Sequence, residues 1–350
     1  MMPTLTWEER FDLARQFSPR LVLFPEDHNL GRPGLDTRIT GDYHPRTVDL
    51  LLTRGKLKNG FFQSPQPATL DLLATHTSPN AQLLIRGKAL PSRRDAWRTY
   101  FKLLENSQSR YPLTTYARVQ TRQEMFARSA DLGKATPTPD EIGRPFFTDA
   151  RAYDLTIQYW LCYYYDDWAN QHEGDWEGIC IFLRHDEKKY RAVGASYYAH
   201  ETGKRRHWAE VERESDEHPL VFVAAGSHAS YYQYVDGGYV TTVPGFIIPI
   251  IAIRLNVNFS TTKVDRVPNH HNYKPIEPRV ELLPDPIEPP GKNDPAHEHQ
   301  KWLAFRGSWG VKFLGKLGHA GPTGPSHKGL KWHNPFVWME RHCTPDFLVY

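Results

Sequence analysis

The sequence lacks the features that mark several broad classes of protein. Its 350 residues include three cysteines, too few for a disulfide framework and an odd number, which favours a reducing compartment. The most apolar run, 246–253, is far shorter than the roughly 20 residues that span a bilayer. Residues 1–20 contain no apolar core of a signal peptide. These absences predict a cytoplasmic protein without an integral membrane segment, in which 246–253 is the one candidate for peripheral membrane contact.

Net charge is also small. The 43 Lys and Arg residues nearly balance the 40 Asp and Glu residues, and no arginine-rich arm or continuous basic stripe is present, so we expect no nucleic-acid partner. Aromatic residues, in contrast, are abundant, with 10 Trp, 18 Tyr and 17 Phe. This composition is that of a globular chain with a large core, and it excludes a disordered one. It gives no indication of the oligomeric state.

The period of the hydrophobic pattern changes along the chain. Helical spacing predicts helices at 7–17, where Thr6 and Glu9 have capping-box spacing, and at 92–107. A short strand is expected at 21–24. From about residue 114 the pattern alternates with a period of two. It predicts strands at 115–122, 155–165, 175–184, 190–199, 219–226 and 249–258.

Successive strands with short turns favour a mainly β protein of the α+β class. We expect an antiparallel β-sandwich or distorted barrel with a few peripheral, mostly N-terminal helices. The prediction is a single domain, 1–350. Its parts are an α+β part (about 1–110), a β-rich part (about 111–267), a proline-rich connection (268–300) and a C-terminal closing segment (301–350). Because eight prolines between 268 and 295 remove backbone donors and fix φ, we expect irregular chain there, with no core of its own.

The strongest chemical signal is the segment Asn-Gln-His-Glu-Gly-Asp-Trp-Glu at 170–177. On a strand, Asp175 and Glu177 share a face with the apolar residues that follow them. Carboxylates on an apolar face are costly unless they are paired, protonated or metal-bound. His172 precedes them, and His228 ends another predicted strand, above the small residues Ala224 and Gly226. We therefore predict a site around His172, Asp175, Glu177 and His228, with Glu177, Asp175 and His228 as catalytic residues.

Two interpretations of this site remain open. Imidazoles and carboxylates at strand ends are ordinary ligands for zinc or a similar divalent metal. The spacing, however, lacks the second histidine of the H-E-x-x-H metalloprotease helix. Alternatively the histidines are hydrogen-bonded structural groups, and Glu177 pairs with an arginine such as Arg306. The candidate metal ligands are His172, Glu177, His200 and His228, and the candidate substrate-binding residues are Tyr163, Tyr165, Trp176, Tyr198, Arg306 and Trp309.

Several motifs together resemble the vacuolar protein sorting-associated protein 62 family. They are Tyr43-His-Pro-Arg46, Tyr159-Trp-Leu with His172-Glu-Gly-Asp-Trp-Glu177, Ser227-His-Ala229 with Tyr231, Arg306-Gly-Ser-Trp-Gly310 and Gly321-Pro-Thr-Gly-Pro325. The resemblance covers about residues 18–340 and implies a single β-rich domain. It implies little chemistry, because the family is named after a sorting phenotype, although its microbial and fungal members include proteins expected to act on small molecules. This chain departs from the pattern at 245–253 and in the proline-rich insertion.

The sequence thus supports three functional hypotheses. The first is a small-molecule enzyme, of specialised metabolism, in which the cluster serves an aromatic-lined cavity as a metal site or as an acid–base set of hydrolase or lyase type. The second is a metal-free cyclase or pericyclase that shapes an apolar substrate. The third is a non-catalytic vacuolar sorting or adaptor protein with an exposed apolar patch near 245–253. An aromatic cavity that meets the cluster favours an enzyme, and a filled core favours the adaptor.

Overall fold

A computed structural model describes most of the chain. The described residues are 5–26, 42–60, 63–76, 78–86, 93–105, 107–125, 153–168, 171–186, 188–244, 260–284, 298–311 and 321–345. The α-helices with bounds in these ranges are α1 (Trp7–Gln16), α2 (Val48–Leu52), α3 (Leu70–Thr75), α4 (Arg93–Leu104), α5 (Leu330–His333) and α6 (Pro335–His342).

The strands are mostly longer in the middle of the chain than near its ends. They are β1 (Arg20–Val22), β2 (Lys56–Asn59), β3 (Gln66–Pro67), β4 (Ala81–Leu84), β5 (Thr114–Thr121), β6 (Leu155–Asp166), β7 (His172–His185), β8 (Tyr190–Ala199), β9 (Thr202–His207), β10 (Leu220–Val223), β11 (Ser230–Tyr231), β12 (Tyr239–Pro244), β13 (Ser260–Asp265), β14 (Arg279–Leu282), β15 (Ser308–Trp309) and β16 (Cys343–Pro345).

A seven-stranded sheet of order β14-β5-β6-β7-β8-β9-β16 organises the protein. Its five inner strands are antiparallel, and both edge strands, β14 and β16, pair in parallel. Smaller sheets have the orders β1-β10-β11, β15-β4-β2-β3 and β12-β13. The predicted class, mainly β within α+β, is confirmed.

Both faces of the large sheet are covered. One face packs Trp160, Trp176 and Phe182 against α2, α4 and α6. The other packs Tyr159 and Ile181 against α1 and β10. A strand buried on both faces alternates between two cores, and burial of each large aromatic side chain contributes roughly 2–3 kcal/mol. Two of the three catalytic candidates, Asp175 and Glu177, lie on β7 at the middle of this sheet.

Several local predictions are confirmed. Helix α1 begins with the Thr6–Glu9 capping box, in which each side chain accepts from the other residue's backbone N–H. Helix α4 and strands β5, β6 and β8 match the expected segments within one to three residues. Strand β7 begins at His172, three residues earlier than predicted, and β10 ends at Val223, three residues earlier. The strand predicted at 249–258 lies outside the described residues.

Two predictions are wrong in detail. The proline-rich connection does pair in a sheet, because Arg279–Leu282 forms β14 between Pro278 and Pro284. The five residues between these prolines keep their N–H groups, and an edge strand needs only one bonded side. The period-two pattern predicted for 155–165 also places Tyr165 on the same face as Tyr163, but Tyr165 joins the opposite core beside Tyr43.

The three cysteines all lie in the large sheet, at Cys162 on β6, Cys180 on β7 and Cys343 on β16. Each thiol is buried and free, and burial raises the pKa of all three. Thiols in this state behave as small apolar groups. Across the described ranges, no helix combines the length and the apolar character needed to cross a membrane.

Gly178, at the centre of β7, gives a test of this packing. A Cβ atom at Gly178 would lie 1.9 Å from the backbone oxygen of Tyr159 on β6, and a backbone atom cannot move aside without breaking the ladder. We expect Gly178→Ala to lower the free energy of unfolding by about 3 kcal/mol or more. Gly60→Ala is the control, since its Cβ would meet nothing within 4 Å and only its positive φ opposes the change, at about 1 kcal/mol. Chemical denaturation of both variants measures the difference, and equal losses would contradict the packing argument.

Candidate functional site

His228 is held by a tight turn between β10 and β11. Its backbone N–H donates to the carbonyl of Ala224, and the N–H of Ala224 donates to the carbonyl of Ala229. The turn gives His228 a φ of 56°, in the left-handed region. Among the described residues, His200 is the other non-glycine residue with a positive φ. This conformation costs a non-glycine residue about 1–2 kcal/mol, and such strain is concentrated at functional sites.

The His228 side chain forms a pair with Asp175 on β7. Its Nδ1 lies 3.1 Å from Asp175 Oδ2, and its ring stacks on Tyr163 with centroids 4.0 Å apart and planes 5° from parallel. The turn thus meets the central sheet through one hydrogen bond and one aromatic face. Because Nδ1 faces a carboxylate, it is the donor of this pair, and Nε2 carries the lone pair whenever the ring is neutral.

Nε2 of His228 is buried and has no hydrogen-bond partner among the described residues. The hydroxyl of Tyr163 is likewise buried and unpartnered. Burial alone would raise the pKa of Asp175, but the hydrogen bond from His228 and the charges of His172 and His228 outweigh it and lower that pKa. Asp175 is therefore an anion that orients His228, as in other carboxylate–imidazole pairs.

Glu177, two residues further along β7, is in the opposite state. It is 6% exposed, and its Oε2 atom has no hydrogen-bond partner in the described part of the chain. Burial raises its pKa to about 7, against the lowering effect of Lys331 and with support from the negative charge of Asp175. Near neutral pH this carboxyl group is thus divided between its acid and its base form.

Two lysines approach Glu177 from the C-terminal segment. The Nζ atom of Lys331 donates to the carbonyl of His200 at 3.1 Å, and that of Lys328 donates to the carbonyl of Trp176 at 3.1 Å. Burial lowers the pKa of Lys331 to about 8, although the charge of Glu177 opposes this. Neither lysine is within ion-pair distance of Glu177, and Arg306, the predicted partner, is exposed instead.

The other two predicted histidines, His172 and His200, form hydrogen bonds through their ring nitrogens. His172 places Nδ1 2.8 Å from the Gly174 carbonyl and Nε2 3.2 Å from Asp166 Oδ2, so both nitrogens act as donors. Although burial alone lowers the pKa of His172, Asp166 raises it to about 9. Likewise Asp265, whose Oδ2 atom lies 2.9 Å from Nε2 of His200, raises the pKa of His200 to about 9 against the effect of burial. Both rings are imidazolium ions at neutral pH.

The structure does not arrange the candidate metal ligands His172, Glu177, His200 and His228 as a ligand set. Both ring nitrogens of His172 and Nε2 of His200 already have hydrogen-bond partners. Within the ranges that the structure describes, no group of three or more His, Cys, Asp or Glu side chains is arranged as metal ligands. The geometry instead brings His172, Asp175, Glu177 and His228 together as a set of proton donors and acceptors.

Sequence reasoning missed Asp42, which lies on the other side of His228. Asp42 accepts a hydrogen bond from the Gly226 N–H at 3.2 Å, and the carbonyl of the same glycine accepts from the Asp167 N–H at 3.0 Å. Burial raises the pKa of Asp42 to about 7, against the charge of His228. The available signal was its position directly before the Tyr43-His-Pro-Arg46 motif. Lys328 and Lys331 carried no signal, because a lysine in a glycine-rich segment is ordinarily exposed.

The predicted substrate-binding residues divide into three groups. Tyr163 lies against His228, and the Tyr198 ring lies 4.9 Å below Lys331 Nζ, so both adjoin the cluster. Trp176 and Trp309 contact each other in the opposite core, where Tyr165 is also buried. Arg306 is on the surface. Of the six predicted substrate-binding residues, only Tyr163 and Tyr198 therefore adjoin the cluster.

The cluster is nearly closed in this structure. Among the described residues beside it, Trp168 and His200 are half-buried, and their rings stack at 4.5 Å. Three surface pockets, of about 490, 460 and 400 Å³, have linings that include none of the cluster residues. The volume of these pockets does not by itself indicate a functional site. The buried polar atoms of the cluster that lack a partner among the described residues belong to His228 and Glu177, which line none of the three pockets.

Comparison with known proteins adds no relative. No protein-family model, no curated protein and no solved structure matches the chain. The resemblance to the vacuolar protein sorting-associated protein 62 family therefore stays a prediction from motifs.

The raised pKa of Glu177 predicts a specific dependence of stability on pH. Between its usual pKa of 4.5 and the folded value of about 7, only the folded state keeps the proton. The stabilisation is complete below pH 4.5 and is lost as the pH rises through 7. The free energy of unfolding of the wild type, minus that of Glu177→Gln, should therefore fall by on the order of 3 kcal/mol over this window.

Glu124→Gln is the control of opposite sign. Partial burial alone would raise the pKa of Glu124, but its hydrogen bonds with Arg10 lower it. The corresponding difference should therefore rise as the pH increases through the acid range, and by less, because Glu124 is partly exposed. Urea titrations at several pH values measure both slopes. A flat difference for Glu177→Gln would show that its carboxyl group ionises normally in the folded protein.

Proposed function

We propose that the protein is an enzyme that transfers protons on a small molecule, with His228 as the base and Glu177 as the acid. The observation that carries the proposal is the buried Asp175–His228 pair near Glu177: among the described residues, neither Nε2 of His228 nor the buried Oε2 of Glu177 has a hydrogen-bond partner. A buried polar atom without a partner costs about 1–3 kcal/mol. Two such atoms in one cluster support a site that a substrate completes.

The two carboxyl groups have different roles because their surroundings differ. Asp175 is kept ionised by His228 and His172, so it orients the imidazole and stabilises the imidazolium that forms when Nε2 takes a proton. Glu177 is destabilised as an anion by burial, so it holds a proton that it can donate near neutral pH. Pairs of acids with separated pKa values are typical of general acid–base catalysis.

The reaction class that fits this set is a lyase or cyclase step, in which one proton leaves a carbon or oxygen atom and another reaches a leaving or closing group. His228 Nε2 accepts the first proton, and Glu177 donates the second. Tyr163, stacked on His228, offers a hydroxyl group that can hold a substrate oxygen. These steps use only side chains of this chain, which favours the metal-free form of the enzyme hypothesis.

The setting of the enzyme is part of the same proposal. Three reduced, buried thiols support a cytoplasmic location. The motif resemblance to the vacuolar protein sorting-associated protein 62 family supports a role in specialised metabolism, and the aromatic surroundings support a largely apolar substrate.

A second candidate, the non-catalytic sorting or adaptor protein, also has an observation in its favour. Trp176 and Trp309, expected to line a cavity, are packed at 0% exposure. A filled core favours a structural polar cluster, in which the same hydrogen bonds only stabilise the fold. The apolar run 245–253, where the adaptor surface was expected, lies outside the described residues.

Metabolite profiling separates the two candidates. The purified protein is incubated with an extract of source cells that lack the gene, and mass spectrometry follows the small molecules. We expect at least one compound to be consumed by the wild type, and its consumption to fall on the order of a hundredfold or more in Glu177→Gln and in His228→Asn. Asparagine tolerates the left-handed φ of residue 228, so the second variant keeps the turn.

The control is Glu105→Gln, which makes the same chemical change at an exposed position of the chain. It should consume the compound at the wild-type rate. If the wild type consumes nothing, or if all four proteins act alike, the acid–base proposal fails and the adaptor is favoured.

A further inference from the structure

The ammonium groups of Lys328 and Lys331 are an unusual feature of the cluster. Each is held by a single backbone carbonyl at 3.1 Å, from Trp176 and His200 respectively. An ammonium group has three N–H donors, so each lysine keeps donors beyond the one that is used. Within the part of the chain that the structure describes, neither lysine forms an ion pair.

A fully buried lysine without a carboxylate partner is rare. Lys331 is 6% exposed, and its ammonium group lies 4.9 Å from the ring centre of Tyr198 and 4.6 Å from that of Trp338. Cation–π contacts replace only part of the lost hydration. The position therefore favours an anion that approaches the ammonium group from outside the protein.

Glu177 does not act as that anion. Its carboxyl group feels the charges of both lysines and of His200, and yet burial keeps its pKa near 7. Its buried Oε2 atom has no partner among the described residues. In the protonated form, Glu177 adds an O–H donor to the two ammonium groups. The Trp176 carbonyl holds Lys328 beside the backbone of Glu177, and both lysines are close enough to influence the Glu177 carboxyl group electrostatically.

We propose that Lys328, Lys331 and the carboxyl group of Glu177 bind a carboxylate group of the substrate. A carboxylate carries one charge on two oxygens, which two ammonium groups can each bond. A phosphate carries about two charges on three oxygens and needs more donors than these residues offer. The aromatic rings beneath Lys331 would contact the apolar part of the same molecule.

This inference rests on the proposed acid–base function, because it names the substrate of that same site. The substrate would be an apolar molecule with a carboxylate group. Residues two apart on a strand are about 7 Å apart, so a carboxylate held near Glu177 puts the carbon atoms next to it close to the Asp175–His228 pair. The binding itself requires no turnover. Its test is therefore independent of the metabolite experiment.

The test measures thermal stability of the full chain against increasing sodium acetate, sodium phosphate and sodium chloride at equal ionic strength. We expect acetate to raise Tm with saturation, from which an apparent Kd follows, and chloride and phosphate to have no saturable effect. Lys331→Met and Lys328→Met should each weaken acetate binding roughly tenfold, which corresponds to one charge-assisted hydrogen bond.

Lys189→Met is the matched control, since Lys189 is exposed and distant from the cluster along the sheet. It should bind acetate like the wild type. Should Lys331→Met fail to fold, the half-buried Lys328→Met still decides the question. Equal stabilisation by all three salts, preference for phosphate, or unchanged acetate binding in the foldable lysine variants would overturn the proposal.

Discussion

The hydrogen bond between Asp175 and His228 joins two parts of the protein that the backbone connects only through a long path. Asp175 belongs to the central strand of the large sheet, and His228 belongs to a turn of the three-stranded sheet that packs on it. The stack of His228 on Tyr163 fixes the angle of this contact. Both carboxyl groups on β7 respond to it: the hydrogen bond from His228 helps to lower the pKa of Asp175, and the negative charge of Asp175 adds to burial in raising the pKa of Glu177. One interaction thus contributes to both the geometry and the protonation states of these two groups.

The cluster contains several energetically unfavourable features that an ordinary protein core avoids. It contains a strained histidine, buried carboxyl groups with different protonation states, and a buried lysine without an ion pair. A neighbouring ion pair of the same protein shows the ordinary solution. Glu173 is bonded to Arg86 and to the Ile85 N–H, and both side chains of the ion pair are buried. Since the chain can pair a buried carboxylate with a buried cation there, the incomplete pairing of Glu177 and Lys331 among the described residues is a property of the site, and it supports a ligand-binding role.

The sequence was informative about the large sheet because long alternating strands leave a strong signal. It placed β6 and β8 nearly to the residue, and the two carboxylates on the apolar face of β7 marked the site. It failed where distant segments decide the outcome. Asp42 and Lys331 reach the cluster only through tertiary packing. The position of Asp42 before the Tyr43-His-Pro-Arg46 motif was its one sequence signal, and no local pattern marks Lys331. The sequence also did not predict that Asp166 would bond His172 and Asp265 would bond His200, because spacing alone does not reveal these contacts. Strand β14 shows a further limit, since prolines prevent pairing only at their own N–H groups.

The three buried thiols offer a view of how the protein opens. They lie on different strands of one sheet, Cys162 and Cys180 on inner strands and Cys343 on an edge strand. A thiol with a raised pKa, shielded from solvent, does not react with an alkylating reagent until its strand separates from its neighbours. The order in which the three positions become labelled would therefore record the sequence in which the sheet comes apart. Because the edge strand has a single neighbour, labelling at Cys343 would report local fraying, while labelling at Cys162 would report loss of the whole fold.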